Sequence, residues 1–340
     1  MKEKTDSILL SHGSGGSLMH ELVRDVFIKH FDNAILGLEN DAAVFKASNS
    51  NIAFTTDSFV VDPVFFPGGD IGKLAICGTI NDLVAVGAKP YCLSAGFILE
   101  EGFPLKELER IVANMATIAK LAGVFIAAGD TKVVEKGKCD KIFINTSGIG
   151  VFPEANVPLF SKKTIKPGDQ IIINGFLGDH GMAVIAARNE LEHAISFQSD
   201  CAPLNLLLGE LLKVDLGIKF MRDPTRGGLA TTLCEICEGL DIGIKIFEDK
   251  VPVRASVQGL CDLLGFDPLY VANEGKMLIV AKKGSEQNLL SKLRKNPLGR
   301  NAAIIGEVIS ENKGLVTLQT SIGGTRIVNM LSGEQLPRIC

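Results

Sequence analysis

No stretch of the sequence approaches the ~20 uninterrupted apolar residues that a membrane-spanning helix needs. Met1-Lys2-Glu3-Lys4-Thr5-Asp6 leads into no apolar core, so the first residues do not read as a secretory signal. Basic runs are missing, and aromatic and basic residues do not interleave. With a net charge of -4, that argues against a general nucleic-acid binder. The eight cysteines are scattered and form no disulfide framework. Cys234-Glu235-Ile236-Cys237 has neither a second pair nor a histidine beside it to complete a zinc site, and reads as two small, half-buried helix residues. These absences lead to the expectation of a reducing, cytoplasmic compartment. Disorder is excluded too, because 46% of the residues are hydrophobic. A chain of 340 residues is long enough for two domains with their own cores.

Periodicity divides the chain into two halves. In the first, Leu18 to Phe31 and Ile71 to Val86 read as helices, and Leu105 to Leu121 as an amphipathic one. Ile52 to Thr56, Tyr91 to Leu99, Val124 to Ala128 and Lys141 to Val151 read as strands, with Val124 to Ala128 expected to be buried. Pro153, Pro158 and Pro167-Gly168-Asp169 break the pattern, so the expected domains are 1–155 and 156–331, followed by a mobile tail, 332–340. The second half opens on strand Gln170 to Asn174 and the turn Gly178-Asp179-His180-Gly181. Helices follow at 182–188, 204–213, 229–238, 255–264 and 286–293, with strands at 242–247, 277–280 and 302–309. Residues 310–335 carry little signal beyond a turn at Asn312-Lys313-Gly314. The fold class is α/β (α+β) with mixed sheets.

Several positions carry chemistry. Ser11-His12-Gly13-Ser14-Gly15-Gly16 precedes a helix, and such a run either closes backbone N–H groups on an anion or is a flexible turn. Asp41, Asp57, Asp82 and Asp130 stand at or inside strands and helices, where a bare carboxylate costs several kcal/mol. Singly each reads as a cap or turn residue; together they suit a Mg²⁺ cage, with Asp223 either a fifth ligand or the N-cap of an Asp-Pro helix start. Lys132 beside Asp130, and Glu274 in Asn273-Glu274-Gly275-Lys276, read as catalytic groups or as charge balance and a turn. Cys340 closes the sequence as a thiol on a leash. Gly333 to Cys340, fully extended, reach at most ~27 Å, enough to enter a cleft.

The motifs resemble those of the ATP-binding superfamily that includes aminoimidazole ribonucleotide synthetase, selenophosphate synthetase and thiamine monophosphate kinase. Within it the resemblance is to the hydrogenase-maturation (HypE) family, whose fold is PurM-like. Carrying it are His12-Gly13-Ser14-Gly15-Gly16, Thr56-Asp57-Ser58-Phe59-Val60, the run from Phe65-Phe66-Pro67-Gly68-Gly69-Asp70 to Ala75, Gly78-Thr79-Ile80-Asn81-Asp82 and Gly129-Asp130-Thr131-Lys132-Val133-Val134. Arg222-Asp223-Pro224-Thr225-Arg226-Gly227-Gly228, Ala272-Asn273-Glu274-Gly275-Lys276 and Pro337-Arg338-Ile339-Cys340 complete the set. The likeness spans nearly the whole chain and is weakest over 31–40 and 310–335.

The resemblance implies that a carbamoyltransferase, HypF, loads a carbamoyl group onto Cys340. The protein then dehydrates the S-carboxamide to an S-cyanate at the expense of ATP, and a HypC–HypD complex takes the cyano group for the iron of [NiFe]-hydrogenase. It implies ATP held by His12, Gly13, Ser14, Gly15, Gly16, Asn81, Thr131, Arg226 and Gly227, and Mg²⁺ on Asp41, Asp57, Asp82, Asp130 and Asp223. Lys132 and Glu274 would serve deprotonation, and two copies would pair their N-terminal sheets in a homodimer. The thiol's own carboxylate neighbour is expected to raise its pKa and Arg338 to offset that. Selenophosphate synthesis on the same scaffold needs a nucleophile near the N-terminus, whereas the first cysteine here is Cys77. A non-enzymatic carrier would need neither the aspartates nor the Lys132/Glu274 pair.

Overall fold

The computed structural model describes residues 8–31, 41–47, 50–152, 160–189, 197–333, 336 and 338–340. The expected boundary at 155/156, with Pro153 and Pro158, lies outside the described residues, as does Pro337 of the tail. Helix α1 (Ser17–Leu22) runs through a π-helical stretch, Val23–Ile28, into α2 (Lys29–Phe31), so the expected Leu18–Phe31 helix is present with a widened middle. Then come β1 (Ala43–Ala47), β2 (Ser50–Phe59), the small hairpin β3 (Phe65–Phe66) and β4 (Gly69–Asp70), and α3 (Ile71–Ala85). The half ends with β5 (Lys89–Glu100), α4 (Leu105–Ala122), β6 (Phe125–Val134) and β7 (Ile142–Val151). Its sheet has the order β1-β2-β7-β5-β6, antiparallel except for the β5/β6 edge pair.

The second half comprises β8 (Gln170–Ile173), α5 (Asp179–Arg188), α6 (Asn205–Leu211), β9 (Ile218–Arg222), α7 (Gly228–Cys237), β10 (Gly243–Phe247) and α8 (Ala255–Leu264). It continues through β11 (Leu278–Ala281), α9 (Glu286–Leu293), β12 (Ala303–Ile309), β13 (Val316–Gln319) and β14 (Thr325–Val328). These strands make a seven-stranded sheet, β14-β13-β10-β12-β8-β11-β9, in which only β10 and β13 are parallel. Both sheets are mixed, as expected. No helix among the described residues is long and apolar enough to cross a membrane.

Helix α3 organises the molecule. Asp70 caps it by accepting from the Gly72 and Lys73 N–H groups at 2.8 and 2.9 Å. Both of its faces are apolar, because it lies between the first sheet and the rest of the protein. Gly78 lets Phe59 of β2 approach one side, and Gly72 lets Ile111 and Met115 of α4 approach another; a side-chain carbon at either position would overlap them. One buried cluster joins Leu74 and Ile76 of α3 to Ile172, Met221 and Ile279 of the second sheet, so the two halves share a core. Asp82 is thereby carried to the line where they meet.

Three expectations need correction. The strand at Val124 to Ala128, taken as buried, extends to Val134 and is an exposed edge, with Phe125, Ile126 and Val133 open. Its apolar run looks like a core strand, but among the described residues no further strand pairs with its outer edge. Helix α5 begins at Asp179, three residues before Met182, because Gly178, at φ 80°, already closes the turn. Strands β1, β9, β13 and β14 carry no clear periodicity in the sequence, because they are only four or five residues long and interrupted by Lys, Arg, Thr or Gln.

Candidate functional site

The cleft between the halves encloses about 490 Å³, a size that holds a nucleotide-like ligand. Gly15 and Met19 form one wall, Asp41, Thr55 and Thr56 another, and Lys162, Arg222, Asp223 and Arg226 the third. A narrow chamber of about 60 Å³, lined by Gly13, Ser14, Arg226, Gly227 and Cys340, adjoins it, with Arg226 common to both.

Four of the five aspartates do converge. Thr55 Oγ1 donates to Asp82 Oδ2 at 2.7 Å, and Asp57 hydrogen-bonds Asp82. Burial drives the Asp82 and Asp223 carboxyls well above their usual range, and the neighbouring carboxylates push them further. Asp57 is raised for the same first reason, and Asp41 is pushed up to about 6. Asp41 is partly spoken for: Arg222 Nε lies 3.1 Å from its Oδ1 and 3.0 Å from Glu235 Oε2. This oxygen-only, charge-rich donor set fits a hard divalent cation. As arranged, no three acidic, His or Cys groups among the described residues already clasp one, so ligand oxygens would have to complete a shell.

Asp130 does not join them. Register places Asp57 opposite Thr146, Thr146 opposite Ala95, and Ala95 opposite Gly129. Three strand spacings, ~14 Å, therefore separate Asp57 from that point. Alternation also turns Asp130 and Lys132 to the sheet face away from α3. There Lys132 Nζ is 2.8 Å from Asp130 Oδ2, both side chains about 70% exposed. Thr131 shares the exposed edge strand. Within this chain Lys132 and Glu274 are not partners.

Glu274 is 3% exposed, and its Oε1 has no hydrogen-bond partner among the described residues. Burial, then Cys201, Asp223 and Asp200, lift its carboxyl well above the ordinary value. Its backbone is fixed from two sides: Glu274 N–H donates to Asp200 Oδ1 at 3.1 Å, and Asn81 Nδ2 donates to Glu274 O at 3.1 Å. Asn81 also donates to Ala202 O and accepts from Leu204 N–H. Asn81, expected to hold a cofactor, here has its amide occupied in tying the 202–204 loop to Glu274. Lys276 pairs with Asp200 at 2.9 Å. Asp200, Lys276 and Asn273, whose amide reaches Pro224 O and Gly178 N–H, escaped the sequence reading as parts of this frame.

The glycine-rich run packs by close approach. A side chain on Gly15, at φ 79°, would strike the Arg226 backbone, and one on Gly16 would overlap Leu331 O. Arg226 Nη1 donates to Gly13 O at 2.9 Å. His12, expected to bind the nucleotide, lines neither cavity; its Nδ1 accepts from Leu9 N–H and caps its own turn.

Cys340 is half-buried in the small chamber, and loss of hydration pushes its thiol up to about 12. Arg226 opposes that rise, while Glu274, Asp57 and Asp223 add to it. The cation expected to moderate the thiol, Arg338, instead reaches Val60 O and Asp140.

The raised carboxyls fix the pH response. Asp41, Asp57, Asp82 and Asp223 hold protons more tightly folded than unfolded. The stability they contribute is therefore complete below about 3.8 and is lost as pH rises through the folded values, Asp41's near 6 among them. Asp140, Asp200 and Glu235, held low, act in the opposite sense but only at more acid pH. Metal-free protein is expected to lose ~5 °C in Tm from about pH 4 to about pH 7. Added Mg²⁺ should restore it, and Asp82→Asn should flatten the slope and remove the Mg²⁺ effect. An unchanged slope in Asp82→Asn by scanning calorimetry refutes the assignment.

Known proteins share this architecture. Residues 39–152 match the AIR synthase related protein N-terminal domain, and residues 166–319 the C-terminal domain. Carbamoyl dehydratase HypE of Cupriavidus necator is 48% identical over 99% of this chain and 96% of its own length. A crystal structure of a HypE–HypF complex superposes with TM-score 0.85 at 50% identity, covering 91% of this chain and 99% of that one. One of HypE with ATP gives 0.81 at 48%, covering 98% and 100%.

Proposed function

The chain belongs to the AIR synthase related family and, within it, to the HypE carbamoyl dehydratases, and from that premise we propose that it dehydrates an S-carbamoyl group on Cys340 to an S-cyanate, with ATP converted to ADP and phosphate. The observation that carries this reading is the seating of Cys340 in a chamber lined by Arg226, near enough to Glu274, Asp57 and Asp223 for their charges to bear on its thiol.

Dehydration must expel the amide oxygen and remove two protons from nitrogen. ATP supplies the phosphoryl group that makes this oxygen a leaving group. Asp57, Asp82 and Asp223, with Asp41 beside them, would hold Mg²⁺, whose charge would neutralise phosphate and, by quieting the aspartates around Glu274, bring that carboxyl down toward the range of a working base. Glu274, desolvated and with a free oxygen, accepts one proton from the carboxamide nitrogen as the oxygen is phosphorylated, and the second leaves on the phosphate expelled when the nitrile forms. Arg226 offers N–H donors beside the sulfur and keeps the carboxamide oriented. Burial of the tail excludes the water that would hydrolyse the thiocarbamate.

Asp130, Thr131 and Lys132 act from a second copy. The uncovered edge β6 and the open sheet face carrying Phe54, Ile98 and Ile149 are suited to pairing with another N-terminal sheet, a homodimer. HypF would load the thiol, and a HypC–HypD complex would receive the cyano group, in the cytoplasm. The test follows the intact mass of protein carbamoylated on Cys340. Mg-ATP should remove the mass of one water and release one phosphate per chain, and a non-hydrolysable analogue should do neither. ATP splitting with no change in tail mass overturns the reading.

A further inference from the structure

We propose that His180 is the positioning residue that seats the acceptor thiol, and that the Phe65-Phe66-Pro67-Gly68-Gly69 hairpin exists to hold His180 in place. The proposal rests on the reading of Cys340 as the acceptor, but concerns a residue and a motif to which that reading gives no task.

The tail is gripped through its backbone. Arg338 O accepts from Asp62 N–H and from Arg188 Nη2, each at 3.1 Å, and Cys340 O accepts from Val60 N–H at 3.1 Å. Between them, Ile339 O lies 2.7 Å from His180 Nε2, the shortest of these contacts. Arg338 sits at φ 52°, a left-handed conformation that a bulky side chain adopts only when its surroundings impose it. Ile339 is buried in the shared core and Leu336 packs against it. The thiol's location is therefore set by the residues immediately before it.

The tautomer of His180 follows from its neighbours. A carbonyl oxygen can only accept, so Nε2 carries the hydrogen and donates to Ile339 O. Nδ1 is then an acceptor and takes the Ser199 hydroxyl proton at 2.9 Å, while Ser199 Oγ in turn accepts from Cys201 N–H at 3.1 Å. Every donor and acceptor along this chain is matched. Complete burial lowers the imidazole's pKa, in keeping with the neutral ring this pattern needs.

The hairpin supplies the enclosure. Phe66 meets the His180 ring edge-on, with centroids 5.4 Å apart. Pro67 O accepts from Ser199 N–H at 2.9 Å, and Gly68, at φ 92°, lets the Ser199 backbone approach closer than a side chain would allow. The same loop, one residue on, presents Asp200 to the Glu274 N–H. Tail seat and base are thus fixed by neighbouring residues of one loop.

The experiment uses the full-length protein and two variants, His180→Leu, which removes the donor, and His180→Gln, which keeps an N–H donor. One readout needs neither ATP nor carbamoylation: the rate at which iodoacetamide alkylates Cys340, followed on the peptide released by cleavage after Glu334. Losing a buried hydrogen bond should favour the undocked tail, so His180→Leu should be alkylated roughly tenfold faster and His180→Gln near the parent rate. Dehydration of the carbamoylated tail should fall in His180→Leu by less than the gain in alkylation, through kcat with the ATP KM unchanged, and recover in His180→Gln. Parent-like alkylation in a folded His180→Leu overturns the proposal, as does His180→Gln behaving like His180→Leu. If the parent itself fails to dehydrate the tail, the functional reading fails, while the alkylation comparison still decides the role of His180.

Discussion

Glu274→Gln is expected to bind ATP as the parent does and to dehydrate the carbamoylated tail ~100- to 10,000-fold more slowly, the usual worth of a positioned base. Gln keeps the shape and the backbone contacts to Asp200 and Asn81, so the frame around it should persist. What is lost is an oxygen that can take a proton. Single-turnover intact mass would show carbamoylated protein persisting in the presence of Mg-ATP. Dehydration at the parent rate would mean that the proton leaves by another route. The variant also tests whether Lys132 acts across a dimer. Lys132→Ala and Glu274→Gln chains, each inactive alone, should regain roughly a quarter of parental activity when re-assembled in equal amounts, because half the dimers are mixed and each has one complete site. No recovery would confine Lys132 to its own chain, where it faces away from the cleft.

How much of this was legible from residues alone depends on how far each depends on distant neighbours. The aspartates could be singled out because carboxylates inside apolar segments need a reason, and Asp57, Asp82 and Asp223 do meet. The same logic could not show that Asp130 lies apart from them within its own chain, because sequence gives no sheet order and β6 is an edge. Asn81 looks like a ligand residue beside Asp82; only the fold shows its amide consumed by Ala202, Leu204 and Glu274. His180 and Asp200 were invisible as site residues, since their partners, Ile339, Lys276 and Glu274, lie far along the chain or in another element. Helices α4 and α9 were read nearly to their ends, because a clear amphipathic stripe needs no tertiary information. Strands β13 and β14 needed their neighbours, being polar and four residues long.

Cys340→Ala should accept no carbamoyl group at all, yet fold, dock its tail and bind ATP. The substitution removes only the sulfur: the grips on Ile339 O and Cys340 O are made to the backbone and survive it. Substitute acceptors are poor. Cys77, Cys201, Cys237 and Cys261 are buried, and burial raises the Cys234 thiol to about 12. Cys92 and Cys139 are half-buried, and burial raises the Cys139 thiol too. A thiol held near 12 in its chamber carries about a thousandfold less thiolate at neutral pH than one at 9.0 in water. Loading is therefore expected to favour the undocked tail and dehydration the docked one. With a carbamoyl donor and the loading partner present, the parent should gain one carbamoyl group, located on Cys340 by peptide mass spectrometry. A variant that locks the tail in should load more slowly than the parent, whereas His180→Leu, which loosens it, should load at least as fast. Carbamoylation of Cys139, Cys92 or any other cysteine in Cys340→Ala would remove the terminal thiol from its role.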